Sequence, residues 1–271
     1  MIGKLDDSKW LRKAAMDLPH QPEYPPLIWF PHAGGGPAAL VRAARQAQSS
    51  GHAVADRDPD RSMPLFANLY GCVLPGREDR YSETPAETID EIVDAVDETL
   101  GDEFPAPILI GHSMGALIAH SLARQRESRG SDVRSLTVMA MRSPDRFEPR
   151  RDPPDESDAD FANRIDQQYS AIPPVIRHNA NALAMFIPVL RADMRLVDTY
   201  QPPSDSDEPA SQLLCSVVAA GGTDDRVMSR GSMEGWRHST VGSFRFHMLT
   251  GDHFFPLAHL SRVLQMSTSG V

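Results

Sequence analysis

The sequence predicts an α/β fold, a mostly parallel sheet covered by helices on both faces. Two observations carry this. Short apolar runs alternate with amphipathic helical stretches along the chain, and one junction between them holds Gly111-His112-Ser113-Met114-Gly115. With 271 residues, 41% of them hydrophobic, the chain is long enough for one large core, and one core is the simplest reading.

Strands are expected at Leu27 to Phe30, Asn68 to Leu74, Pro107 to Ile110, Leu136 to Met141, Leu213 to Ala219 and Phe244 to Leu249. The clearest helix is Thr88 to Leu100. Ile89, Ile92, Val93, Val96 and Leu100 fall on one of its faces, and Thr88 with Glu91 reads as a capping box. Two segments interrupt the alternation. Ala44 to Ala67 holds a mixed charge run with glycine and prolines and reads as a long polar excursion. Arg150 to Pro203 opens rich in Pro and Asp and continues with helices around Ala159 to Gln168 and Ala182 to Tyr200, the latter broken at Pro188. Helices inserted there read as a lid over residues 150–203. Residues 1–26 read as an appended tail, leaving 27–271 as the domain.

The charge balance excludes some functions. A formal net charge of -10 argues against nucleic acid, because phosphate binding needs a basic face. The start of the chain mixes lysine and aspartate and does not resemble a signal peptide. No apolar run approaches the roughly 18 residues of a membrane span, so a cytoplasmic protein is expected. The two cysteines, Cys72 and Cys215, lie in runs that read as buried strands and imply no disulfide framework. Nothing requires more than a monomer, and neither a metal nor a resident cofactor is expected.

The residues Pro107-Ile108-Leu109-Ile110 lead into Gly111-His112-Ser113-Met114-Gly115, and Ala116 to His120 lead out as a helix. A strand-to-helix turn this tight strains the serine backbone, and only small residues two before and two after leave room for the neighbouring chain. This is the nucleophile elbow of the α/β-hydrolase fold, with Ser113 as nucleophile. In that fold the acid and the histidine follow the serine in chain order. The last strand ends in Thr250-Gly251-Asp252-His253, which makes His253 the general base. The strand before it ends in Gly221-Gly222-Thr223-Asp224-Asp225, a turn that offers two aspartates as the acid. His112, His120, His178, His238, His247 and His259 lack such a context. The backbone N–H groups of Met114 and of Ala33, in Phe30-Pro31-His32-Ala33-Gly34-Gly35-Gly36, are assigned to an oxyanion hole. The glycine-rich turn lacks the spacing of a dinucleotide site.

With these pieces in place the chain resembles the type II thioesterases, stand-alone α/β-hydrolases of polyketide and nonribosomal peptide pathways. Four stretches carry the resemblance: Phe30-Pro31-His32-Ala33-Gly34-Gly35, Leu74-Pro75-Gly76-Arg77-Glu78, Gly111 to Ala116, and Gly251-Asp252-His253-Phe254-Phe255. A fifth, Leu190 to Arg195 and on to Thr199-Tyr200, is similar to the family's lid helix. The resemblance implies an acid in a Gly-x-x-Asp-x-x-Val turn, here Gly221, Asp224 and Val227, and so favours Asp224 over Asp225. It also implies an activity: removing acyl groups from the phosphopantetheine arm of an acyl or peptidyl carrier protein, with the cofactor arriving on the substrate. The chain departs from the family at Ala44 to Ala67 and at Met141-Arg142-Ser143-Pro144-Asp145, which bears on the floor of the acyl pocket. Arg142, Arg146, Arg150 and Arg151 form a candidate basic patch for an acidic carrier, although interleaved acids also fit a solvated loop. The apolar residues Leu183, Met185, Phe186, Ile187, Leu190 and Met194 are candidates for an acyl channel. The rival readings are an oxygen-ester hydrolase, a thioesterase releasing a finished product, and a non-catalytic partner that binds carrier proteins.

Overall fold

The apolar run Ile108–His112 forms the central strand of the sheet and delivers Ser113 at its carboxyl end. The computed structural model describes residues 5, 8–49, 63–102, 104, 106–148, 156–202 and 212–269. Among these, the strands are β1 (Leu11–Lys13), β2 (Leu27–Phe30), β3 (Leu69–Cys72), β4 (Ile108–His112), β5 (Ser135–Met139), β6 (Ser216–Gly222) and β7 (Phe244–Leu249). They form a 7-stranded sheet in the order β1-β3-β2-β4-β5-β6-β7, parallel except for β1. The main helices are α1 (Pro37–Ser49), α2 (Ile89–Leu100), α3 (Met114–Ser128), α4 (Asp158–Tyr169), α5 (Ala180–Asp198) and α6 (Leu260–Thr268). β2, β4 and β5 are buried along their whole length, as strands covered on both faces must be. This is the mostly parallel, helix-covered architecture that the alternation predicts.

The sheet starts earlier than expected. Part of the expected tail joins the sheet: β1 pairs antiparallel with β3, setting Leu11 opposite Cys72 and Lys13 opposite Tyr70. Leu5, Leu11, Ala14 and Ala15 are buried in the core. A three-residue strand has too few alternations to read from sequence, and it covers the otherwise open edge of β3. β6 is displaced from Leu213–Ala219 to Ser216–Gly222. The amides of Leu214 and Cys215 are taken by the Glu127 carboxylate at 2.7 and 3.0 Å, so the ladder begins after them. Leu213 keeps an isolated bridge to Thr240.

α2 begins where its cap predicts. Thr88 Oγ1 accepts from the Glu91 amide at 3.2 Å, and the Glu91 carboxylate reaches back to the Glu87 amide at 2.9 Å. The polar excursion is partly helical: α1 runs on to Ser49 and a short helix spans Met63–Ala67, while residues 50–62 lie outside those described. α5 is not broken at Pro188, which sits inside a continuous helix. An internal proline costs a helix about 3 kcal/mol. Here Ile187, Leu190 and Met194 of α5 bury themselves against Phe161 and Ile165 of α4, while Pro188 faces outward, and that burial offsets the cost. α4 and α5 lie between β5 and β6 and pack over the carboxyl ends of the strands, with Ala33 in contact with their shared cluster. No helix among the described residues is long and apolar enough to cross a membrane.

Candidate active site

Ser113 has φ 53 and ψ −120, a left-handed conformation that an L residue adopts only under strain. Its surroundings enforce it. A Cβ on Gly111 would lie 2.3 Å from the Gly115 carbonyl oxygen, and one on Gly115 would lie 2.1 Å from that of Phe30. Both flanking glycines are therefore obligatory on steric grounds. The Ser113 amide donates to the Met139 carbonyl of β5 at 2.8 Å, fixing the turn to the sheet.

The serine hydroxyl lies 3.0 Å from Nε2 of His253, which the loop after β7 supplies from 140 residues away. On the other side of the ring, Nδ1 lies 2.9 Å from Oδ2 of Asp225. The resemblance favours Asp224 at this position, and the structure corrects that expectation. Asp224 is exposed, with one carboxylate oxygen accepting from the Thr223 hydroxyl at 3.3 Å, while its amide ties the turn to the Gly251 carbonyl. The Asp225 carboxylate is turned inward and has no exposed surface. Its Oδ1 accepts from the amides of Val227 and Met228 at 2.8 and 3.1 Å. Burial alone would raise its pKa. The bond from His253 and the two amides outweigh burial and hold the carboxyl below its ordinary value, so it stays ionised beside the imidazole.

Two further histidines brace this arrangement. His112 Nε2 lies 2.8 Å from the backbone carbonyl of His253, so its imidazole anchors the loop that carries His253. His32 stacks on His112 with ring centroids 4.9 Å apart. Burial pushes the His32 pKa down to about 3, helped by His253 and Arg77, and burial pushes His112 well below its ordinary value. Both rings are neutral at physiological pH, and neutral His112 with its proton on Nε2 donates to the His253 carbonyl. His112 had no readable signal beyond its place in the elbow, because its partner is a backbone atom 141 residues away.

Ala33 lies in the turn after β2, and Met114 is the first residue of α3. Among the described residues neither amide makes a hydrogen bond, whereas those of Gly34 and Gly35 donate to Asp193 and to the His32 carbonyl. Ser113, His32, Ala33 and His253 open on an apolar cavity of about 40 Å³, lined further by Met141, Ile165, Leu190, Met194 and Met228. At roughly 10 to 15 Å³ per water, it has room for about three. Of the candidate channel residues, Leu190 and Met194 line it; Ile187 is buried in the cluster of α4 and α5, and Met185 is 71% exposed. Met141 forms part of the wall, and its carbonyl accepts the Trp236 indole N–H at 2.7 Å. A polar cleft of about 390 Å³ lies on the far side of His253 and Asp225, lined by Gln167, Gln168, Ser170 and Arg226. Of the arginine patch, Arg146 donates to the Gly231 carbonyl at 3.0 Å, and Arg150 and Arg151 lie outside the described residues. No group of three or more His, Cys, Asp or Glu able to hold a metal occurs among the described residues.

The sheet order and the elbow at the end of β4 define the α/β-hydrolase class. Comparison with known proteins narrows it: the thioesterase domain family matches residues 25–269, and the chain belongs to that family and is a thioesterase. It is 31% identical over 229 residues to the "Gramicidin S biosynthesis protein GrsT" of Aneurinibacillus migulanus, covering 84% of this chain and 87% of that one. It is 29% identical over 266 residues to the "Probable cadicidin biosynthesis thioesterase" of Streptomyces griseus, covering 97% of this chain and 66% of the relative's length. Among solved structures it superposes on BorB, the type II thioesterase from the borrelidin biosynthetic cluster, with a TM-score of 0.72, 28% identity and 95% of each chain covered.

Proposed function

We propose that this chain is a serine thioesterase that hydrolyses acyl thioesters from the phosphopantetheine arm of an acyl or peptidyl carrier protein. By that activity it would edit or unblock a polyketide or nonribosomal peptide assembly line. The observation that supports the chemistry is the continuous chain Ser113 Oγ, His253 Nε2, His253 Nδ1, Asp225 Oδ2, with spacings of 3.0 and 2.9 Å. The pathway reading is supported by relatives whose names place them in cadicidin, gramicidin S and borrelidin biosynthesis.

In this reading His253 takes the Ser113 proton as the hydroxyl attacks the thioester carbonyl, and Asp225 fixes the tautomer and stabilises the imidazolium. The amides of Met114 and Ala33 receive the developing oxyanion, with the positive end of α3 behind them. His253 then protonates the leaving thiol. A water activated at the same nitrogen releases the acyl group from Ser113. Thioesters suit this machinery because their carbonyl is poorly stabilised by resonance and the thiolate leaves well. The reaction needs no cofactor of the enzyme's own. The acyl end is assigned to the apolar cavity, which must widen as α4 and α5 move, and the amide-bearing arm to the polar cleft. α4 and α5 act as a lid.

A panel of acyl thioesters on a carrier protein, matched against soluble thioesters and oxygen esters, tests the proposal. The carrier-bound thioester is expected to have the highest kcat/KM. Preference for the oxygen ester would overturn the thioester assignment, and equal rates on carrier-bound and soluble thioesters would overturn the carrier assignment.

A further inference from the structure

The motif Leu74-Pro75-Gly76-Arg77-Glu78 and the helix residue Asp193 have no part in the chemistry above, yet they meet beside the oxyanion loop. Arg77 NH1 and NH2 each lie 2.6 Å from one oxygen of the Asp193 carboxylate, a two-pronged ion pair. The Arg77 side chain is 8% exposed and that of Asp193 is 1% exposed. A pair so deeply buried is costly to desolvate and is no argument for stability by itself. Its position relative to the loop gives it a different use.

Asp193 Oδ2 also accepts the Gly34 amide at 2.7 Å, and Arg77 NH1 donates to the Gly35 carbonyl at 3.0 Å. The two charges therefore grip the peptide groups on either side of the Gly34–Gly35 peptide, immediately after Ala33. A second, independent contact presses the same loop against α5. Gly34 has φ +76, and a Cβ there would fall 2.8 Å from Phe186 Cζ and 3.2 Å from Leu190 Cδ1. Below the loop, Glu78 of the same motif accepts the Ala38 amide at 3.0 Å, tying it to the start of α1.

We propose that Arg77 and Asp193 are positioning residues for the oxyanion hole: together they aim the Ala33 amide at the reacting carbonyl, and they do so only while α5 is seated. Occupying the Gly34 amide leaves the Ala33 amide as the donor facing Ser113. The guanidinium neutralises the carboxylate, so that Asp193 does not oppose the oxyanion across the loop. Because Asp193 rides on α5, lifting that helix would disorganise the hole, and substrate closure and catalytic competence become one event. The inference rests on the reading of Ser113 as nucleophile and of the Ala33 amide as an oxyanion donor.

The test compares Asp193→Asn, Asp193→Ala and Arg77→Lys in the full chain, using a soluble acyl thioester and an acyl trifluoromethyl ketone. Ser113 Oγ adds to the ketone carbon and its proton passes to His253, so the resulting hemiketal oxygen is an oxyanion in the same hole. Losing an oxyanion donor costs about 10² to 10³ in kcat, and displacing one costs a part of that. Asp193→Asn is expected to lower kcat by roughly 10- to 100-fold with KM nearly unchanged. Affinity for the ketone should fall in proportion to kcat/KM across all three variants. Arg77→Lys, which keeps the charge, is expected to recover part of the loss relative to Asp193→Ala. A KM rise at unchanged kcat, or ketone affinity untouched while kcat falls, would overturn the proposal, and so would loss of cooperative folding in both Asp193→Asn and Arg77→Lys. Failure of the underlying reading is distinguishable, because it appears as wild-type turnover in Ser113→Ala whatever residue 193 is.

Discussion

Asp225 Oδ2 lies 2.9 Å from Nδ1 of His253, while Asp224, one residue earlier in the same turn, faces solvent beside the Thr223 hydroxyl. Adjacent residues of one type thus have opposite environments. One carboxylate is buried against an imidazole and two amides, and the other is exposed.

The pair gives a direct comparison. Asp225→Asn should cut kcat by about 10⁴, the loss expected when the residue orienting the base presents the wrong hydrogen-bonding partner. Asp224→Asn should change it by less than about threefold, since an exposed polar exchange away from the site is close to neutral. Steady-state turnover of a soluble thioester by the two variants reads this out, and the reverse order would restore Asp224 as the acid.

The elbow predicts a stability effect separable from chemistry. Gly115→Ala would set a methyl group 2.1 Å from the Phe30 carbonyl oxygen, in backbone that cannot yield without shifting β2. Overpacking of this kind costs about 1 to 3 kcal/mol, and contact with backbone puts this site at the upper end. Denaturant unfolding of Gly115→Ala should show a correspondingly lower midpoint, and an unchanged midpoint would mean that the turn is looser than described.

Acid sensitivity should be traceable to a buried histidine outside the site. His120 is 1% exposed, packs edge-on to Trp236 at 5.3 Å between centroids, and is held neutral by burial, which lowers its pKa to about 3. The folded pKa lies below the unfolded value of 6.5, so the unfolded chain binds the extra proton between those limits, and stability falls as pH drops from 6.5 towards 3. Each such group contributes up to about 1.4 kcal/mol per pH unit in that window. His120→Phe should flatten the slope of unfolding free energy against pH between about 6 and 4 by roughly that amount. An unchanged slope would show that His120 takes no part.

The small cavity should control acyl size. Met194 and Leu190 line it from α5, and Met194→Ala removes side-chain volume facing Ser113. Stability is expected to fall by about 2 to 5 kcal/mol, as for other buried truncations. Turnover of branched or longer acyl thioesters should rise relative to acetyl. A panel of chain lengths measures the ratio, and an unaltered profile would place the acyl group elsewhere.

What was legible in the sequence follows from how local its cause is. The elbow, α2 with its Thr88 cap, and β7 leading to His253 depend on contiguous residues, and their patterns could be read directly. β6 moved because Glu127, 87 and 88 residues from Leu214 and Cys215, takes their amides. β1 has no sequence signature because three residues carry no period, although Leu11 is buried against β3. α5 runs through Pro188 because packing of Ile187 and Leu190 outweighs local propensity. The choice between Asp224 and Asp225 turned on which side chain faces inward, a matter of turn geometry that a spacing pattern does not encode. The meeting of Arg77 with Asp193, 116 residues apart, had only the two separate motifs as a trace.

Trapping the acyl-enzyme reads out whether Ser113 is the nucleophile. The chain is mixed with an acyl thioester on a carrier protein, quenched in acid within the first turnover, digested and weighed by mass spectrometry. One acyl group is expected on the peptide containing Ser113, and neither that adduct nor thioester turnover above roughly a thousandth of the parental rate in Ser113→Ala. Parental turnover by Ser113→Ala, or an acyl group found on another residue, would contradict it.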